Sequence, residues 1–212
     1  MTRDLKFNVK KERPEDIYET VLDYYKGDNL SNYARSKNIR RIQKKITQRA
    51  LEILNIEDKN SLILDAGCGP GFSSTYLHEL GYKVIALDII ADFLKYYNLS
   101  DFNPIIADMC KLPFRTNVID AVISISALQW IYRNPQNRRE RKNMETLFKT
   151  LYPILKRNGR AIFQFYPKNN YIMEKIKEII ITNTNFNGGF IIDNPNNPRK
   201  RKVYLFLEKK KY

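Results

Sequence analysis

One stretch, LILDAGCGPGFSS over residues 62–74, constrains the fold more than any other. A short apolar run ends in Asp65 and is followed by Gly67, Gly69 and Gly71, after which a helical pattern begins. Glycine alone enters left-handed turns freely, and it leaves no side chain to keep a ligand off the backbone. The same unit recurs in outline, because LILD, KVIALD, PIIAD, DAVISIS and AIFQF are short apolar runs separated by helical patterns. Runs that are apolar throughout, rather than alternating, predict strands covered by helices on both faces, hence an open, mostly parallel α/β sheet. GGFIID and VYLFLE flank NPNNPRKRK and predict a C-terminal hairpin whose last strand runs antiparallel to the rest. The expectation is a Rossmann-like sheet of seven strands.

The spacing predicts a long helix over 136–157, with Leu147, Leu151, Ile154 and Leu155 as its core stripe and Gly159 placed to stop it. A further helix is predicted over 171–184. Residues 1–57 read as a helical extension in which Ile39, Ile42, Ile46, Ala50 and Ile53 share one face and Arg40, Arg41, Lys44 and Lys45 the other, a solvated surface. The α/β domain then spans 58–208, and 209–212 form a short basic tail.

Composition excludes several classes. Two cysteines and one histidine in 212 residues supply neither a four-ligand zinc site nor a disulfide framework. Zinc hydrolases are set aside, no metal is expected, and a reduced intracellular setting is the default. No apolar run approaches the roughly 18 residues of a membrane span, so no membrane partner is expected. His78, in a helical pattern, is assigned no chemistry. Thirty-seven Lys and Arg against 23 Asp and Glu give a net charge of +14, which suits a polyanionic partner such as RNA. Lys, Asn and Ile are all frequent, as an AT-rich coding sequence would produce, so position must decide. Arg138, Arg139, Arg141 and Lys142 open the long helix, where the helix dipole disfavours positive charge, and so ask for another purpose. Arg199, Lys200, Arg201 and Lys202 form a second cluster, and both are candidate RNA contacts.

The glycine loop departs from the dinucleotide fingerprint, since Phe72 stands where a third glycine is required. Its D-x-G-x-G-x-G pattern is that of class I S-adenosylmethionine-dependent methyltransferases. That cofactor has no pyrophosphate and bears an ammonium and a sulfonium, so Asp65 at the strand end is an asset. Asp88 closes KVIALD, where a carboxylate accepts from both ribose hydroxyls, and Asp108 closes PIIAD, where it accepts from the adenine amine with Met109 beside the ring. The expected cofactor set is Asp65, Gly67, Cys68, Gly69, Gly71, Asp88, Ile89, Asp108 and Met109.

Several acceptor chemistries can be tested against the residues. Carbon-5 pyrimidine chemistry needs a nucleophilic thiolate, but Cys68 lies in the glycine loop and Cys110 follows Asp108. Exocyclic-amine enzymes carry Asn or Asp before Pro-Pro-aromatic after the fourth strand, where this chain reads Ser126-Ala-Leu-Gln129-Trp130. Guanine N7 has an unprotonated in-plane lone pair, needs no general base, and asks only for alignment, stacking and water exclusion. In duplex RNA that edge is buried in a deep groove, so the target guanine is expected to be unstacked or in a distorted loop. Gln129, Trp130 and Tyr166 are the positioning candidates, and core aromatics are the competing reading.

The chain resembles the eukaryotic small-subunit rRNA guanine-N7 methyltransferases, the bud-site-selection and Williams-Beuren-region family. The resemblance runs through RPEDIY at 13–18, Tyr33, Ile42-Gln43, RALEIL at 49–54, LDAGCGPG and LPFR at 112–115. It continues in ISISALQW at 123–130, QFYPKN at 164–169 and GGFIIDNP at 188–195. Lys37-Asn38 stand where the family has Ser-Arg, Cys110-Lys111 replace a Gly-x-Gly stretch, and little remains of the family's basic C-terminal tail. The resemblance implies methylation of 18S-type rRNA in the pre-ribosome, in the nucleus, nucleolus and cytoplasm. It also implies a heterodimer with a small zinc-ribbon activator that adds a strand at the sheet edge, where Ile105 and Ile106 would lie. A small-molecule methyltransferase and a ribosome-assembly factor with dispensable catalysis remain as alternatives.

Overall fold

The computed structural model describes residues 5, 7, 12–98 and 101–210. Four helices come first: α1 (Pro14–Ile17), α2 (Val21–Tyr24), α3 (Gly27–Arg35) and α4 (Lys37–Leu54). The sheet units follow as β1 (Leu62–Ala66), α5 (Phe72–Glu79), β2 (Lys83–Asp88), a 3-10 helix (Ala91–Tyr96), β3 (Ile105–Ile106) and β4 (Ile119–Ile125). The rest comprises α6 (Leu128–Ile131), α7 (Arg138–Ile154), β5 (Leu155–Phe165), α8 (Asn170–Asn183), β6 (Phe186–Asp193) and β7 (Lys202–Lys209). The seven strands lie in the order β3-β2-β1-β4-β5-β7-β6. Strands β1 to β5 are mutually parallel, and β7 is antiparallel to both β5 and β6. This is the class I methyltransferase sheet the apolar runs predict, with the PIIAD strand at one edge.

Helices cover both faces, which is why the central strands carry no polar alternation. Ile46, Ala50 and Leu54 of α4 pack with Leu77 and Tyr82 against Ile63, Ile123 and Ile162. Met144, Leu147, Phe148 and Leu151 of α7 pack with Ile172 and Ile176 of α8 against Leu64, Val122 and Phe163. Because β1 and β2 run parallel as neighbours, Asp65 beside Ala86 and Ala66 beside Leu87, the ends of the strands open at one rim of the sheet.

Three expectations are corrected. The buried stripe of α4 is Gln43, Ile46, Thr47, Ala50 and Leu54, with Ile42 exposed, because Thr47 is satisfied by the carbonyl of Gln43 and by the hydroxyl of Ser73 at 2.8 Å. Helix α7 ends at Ile154, where Pro153 cannot propagate it, and Leu155 already pairs with Ile119 as strand. Gly159 therefore caps no helix. It lies in a bulge between Leu155 and Arg160, where a Cβ would meet the carbonyl oxygen of Lys156 at 2.8 Å. Lys209 of the expected tail ends β7, its ammonium donating to the carbonyl of Leu155 at 2.6 Å, while residues 211–212 lie outside the described residues.

Candidate active site

At the rim where β1, β2, β3 and β4 end, the backbone forms a cleft of about 310 Å³. Its floor is the glycine loop. The N–H groups of Gly67 and Cys68 both donate to the carbonyl of Leu87, at 2.8 and 3.0 Å, which turns the chain across β2. Gly67 has φ +76°, and a Cβ there would sit 2.7 Å from that of Ala127, so the loop closes on the segment after β4 only with glycine. Gly69 lines the cleft and donates to Oδ2 of Asp88 at 2.7 Å, while Oδ1 accepts from Ile90 N–H at 2.8 Å. Burial raises the Asp88 pKa although the backbone N–H groups of Ile90, Gly69 and Ile89 pull it down. Asp108, its Oδ1 accepting from Cys110 N–H at 2.8 Å, lines the same cleft with Ile89 and Met109.

Asp65, Cys68 and Gly71 do not line it. Asp65 is 1 % exposed behind the loop, where Ser74 donates to its Oδ2 at 2.6 Å and burial pushes its pKa up to about 7. Ser74 in turn lies 3.1 Å from the hydroxyl of Tyr97, and the Tyr97 ring fills the space a Gly71 side chain would need. Cys68 packs with Ala86, Tyr97 and Phe102. These residues shape the loop from behind. Burial also raises the thiols of Cys68 and Cys110, which leaves both protonated and un-nucleophilic.

The comparisons with known proteins agree with this geometry. Residues 64–163 match the model of a methyltransferase domain. The chain is 36 % identical over 189 residues to the 18S rRNA (guanine-N(7))-methyltransferase of Bos taurus, covering 87 % of this chain and 67 % of that one. It is 34 % identical over 204 residues to 18S rRNA (guanine-N(7))-methyltransferase bud23 of Schizosaccharomyces pombe, covering 92 % and 74 %. The chain belongs to the 18S rRNA (guanine-N7)-methyltransferase family. Among solved structures, Haemonchus contortus phospholethanolamine N-methyltransferase 2, in complex with S-adenosylhomocysteine, aligns with a TM-score of 0.62 at 15 % identity over 79 % of this chain and 53 % of that one, a likeness of fold.

The cofactor of this methyltransferase is S-adenosylmethionine, and the cleft suits it: a glycine cradle that a single Cβ would fill, and carboxylates that match a cationic nucleoside. The far wall comes from elsewhere in the chain. Glu19, Thr20, Val21 and Tyr25 line the cleft opposite the family's glycine loop in sequence, more than 100 residues from the group that fastens them. That group is Arg133, whose guanidinium donates to the carbonyls of Glu15, Tyr18 and Glu19 at 2.9–3.0 Å and pairs with buried Glu140 at 3.1 Å. Glu140 also accepts from the N–H groups of Arg133 and Asn134. Sequence reasoning missed this clasp, although an isolated Glu within RRERK was a visible signal.

Of the positioning candidates, Trp130 lines the cleft, stacked on Tyr24 with centroids 5.7 Å apart. Gln129 lies behind it, its amide nitrogen donating to the carbonyl of Ser126 at 2.8 Å. Ser126 itself faces the cleft with φ +59°, held by Gln164 through its N–H at 2.8 Å and its hydroxyl at 3.0 Å. A left-handed non-glycine residue at a ligand site is stored strain, and sequence gave no sign of it. Tyr166 is away from the cleft, with Arg13 and Lys202 over its ring at 5.9 and 5.2 Å, so its face is already occupied. Among the basic residues, Arg139 lines the cleft and Arg138 and Lys142 are exposed, while Arg141 pairs with Glu145 at 3.1 Å. Arg199 and Lys200 are exposed. Arg201 is buried, donating to the carbonyl of Pro195 and lying 5.0 Å from the Phe7 ring, and is withdrawn as an RNA contact.

Proposed function

We propose that this protein methylates N7 of a guanine in small-subunit rRNA during ribosome biogenesis, with residues 1–57 as a helical extension to the catalytic domain of 58–208. The observation that carries the reading is one cleft that joins the glycine cradle and strand-end carboxylates to an aromatic wall, Tyr25 and Trp130, and a basic rim at Arg139. Gly67, Gly69, Asp88, Ile89, Asp108 and Met109 would hold S-adenosylmethionine. When bound, that cofactor supplies an electrophilic methyl group, which N7 accepts on a lone pair that carries no proton. The chain's own task is therefore alignment. Trp130 offers a ring for the unstacked base, Ser126 and Gln129 fix the backbone beneath it, and the N-terminal segment excludes water. Arg138, Arg139, Lys142, Arg199 and Lys200 supply phosphate contacts.

The free sheet edge supports the family's zinc-ribbon activator as partner. Strand β3 is two residues long, pairs on one side only among the described residues, and presents Ile106 at 63 % exposure beside half-buried Ile105. An added strand would pair its open backbone and cover that side chain. A ribosomal substrate supports the nucleus or nucleolus and the cytoplasm as the sites of action. No helix among the described residues is long and apolar enough to cross a membrane.

Borohydride and aniline treatment cleaves rRNA at N7-methylguanine. A small-subunit break that depends on this protein is the expected result, and it identifies atom and nucleotide together. No dependent break would transfer the case to a small-molecule acceptor or to an assembly factor.

A further inference from the structure

N7 is common to guanine and adenine, so the atom methylated does not by itself select the base. What differs is the far edge. Guanine presents N1–H and an exocyclic amine as adjacent donors, whereas adenine presents a bare N1 lone pair, which an anionic acceptor repels. A base that turns N7 toward the cofactor wall turns those donors away from it. The site therefore needs an uncommitted acceptor on the other wall.

Four acidic residues line the cleft, and the carboxylates of three are engaged. Asp88 accepts from Gly69 and Ile90, Asp108 accepts from Cys110 on the cofactor side, and Glu140 is saturated by Arg133 and Asn134. Glu19, an exposed residue, is the fourth. Its backbone carbonyl is pinned by Arg133 at 2.9 Å, and among the described residues its carboxylate makes neither a hydrogen bond nor an ion pair. Asn143, also on that side, is an amide that offers donors as readily as an acceptor and so discriminates less. We infer that Glu19 is a specificity-determining residue that accepts N1–H and the exocyclic amine of the target guanine, an inference that rests on the guanine-N7 reading above. Arg133 holds the main chain of Glu19 in place, so the carboxylate reaches the base from a fixed anchor.

The test is a coupling measurement. An rRNA segment containing the target is prepared with guanosine or with inosine, which keeps N7, O6 and N1–H but lacks the amine. Both are methylated by the wild-type protein and by Glu19→Gln. The expected result is a loss of roughly tenfold to hundredfold in kcat/KM for wild type on inosine, a similar loss for Glu19→Gln on guanosine, and little further loss when the two changes are combined. Affinity for S-adenosylhomocysteine stays unchanged in the variant, which shows a folded cofactor wall. Losses that multiply independently, or a variant as active as wild type on guanosine, overturn the role of Glu19 while leaving the N7 reading intact. No methylation of guanosine RNA by the wild-type protein overturns both.

Discussion

The wall of Gly67, Gly69 and Asp88 is tied by hydrogen bonds between residues 2 to 20 apart in sequence, whereas Arg133 ties the wall of Glu19, Thr20 and Tyr25 by bonds spanning 114 to 118. The first is a property of the sheet. Wherever β1 and β2 pair in register, the loop and Asp88 meet. The second depends on contacts between distant segments: one guanidinium holds three carbonyls of the N-terminal segment to a buried carboxylate on α7, beside the packing of Val21 and Tyr25 on Ile90 and Phe93. Cofactor binding should thus tolerate loosening that acceptor binding does not, and the N-terminal segment is the part expected to open first. Four measurements break or sharpen this contrast.

The largest effect belongs to the back of the cofactor wall. Burial lifts Asp65 to about 7 and raises Asp88 in the same sense, so the folded chain holds protons that the unfolded chain releases from about pH 4 upward. Their folded pKa values lie above the unfolded ones, so these groups cost nothing at acidic pH and weaken the fold as pH rises, for Asp65 up to about 7. For Asp65 the change is on the order of 4 kcal/mol across that window. Urea unfolding from pH 4 to 8 should show wild-type stability falling through the window and Asp65→Asn losing most of that slope. Equal slopes would show that Asp65 is not held as an acid.

Next is the clasp. Arg133→Ala strands Glu140 and three carbonyls and should cost about 3 kcal/mol of stability. Its affinity for S-adenosylmethionine should stay within about threefold of wild type while rRNA methylation falls at least tenfold. A variant that loses both equally would show that the two walls are one cooperative unit. Asp88→Ala is the mirror experiment: roughly 1 to 3 kcal/mol of cofactor binding is lost by calorimetry, with the N-terminal segment still protected from proteolysis.

The same division explains what the sequence made legible. Strand order, the edge position of Ile105 and Ile106, and the clustering of Asp88, Asp108 and the glycine loop all follow from local pattern plus the handedness of parallel α/β units. Asp65 and Gly71 carry the motif's signature, yet the signature does not tell a residue that touches the ligand from one that shapes the loop behind it. The Tyr97 ring and the Ser74 hydroxyl are what set Asp65 and Gly71 behind the loop. Arg133, Glu19 and Ser126 were illegible because their roles depend on contacts between distant segments. Arg201 and Tyr166 failed for a related reason, since a charge or a ring counts as available in sequence until a neighbour in space has taken it.

That last distinction yields the smallest and most specific test. Arg139, Arg199 and Arg201 are alike in sequence as members of basic clusters, but Arg139 lines the cleft, Arg199 is exposed, and Arg201 is 8 % exposed beneath Phe7. Neutralising a residue that meets a phosphate removes about one released counterion, so the salt dependence of RNA binding flattens by about 0.7 to 1 in the log-log slope, with affinity weaker by about 1 kcal/mol. Arg139→Ala and Arg199→Ala should each show this at unchanged melting temperature. Arg201→Ala should show the reverse, a lower melting temperature with an unchanged salt slope, because its guanidinium serves the carbonyl of Pro195 and not a phosphate. A flattened slope for Arg201→Ala would mean that the turn of 194–201 opens to RNA, and the basic cluster would then act as a unit, as its sequence suggests.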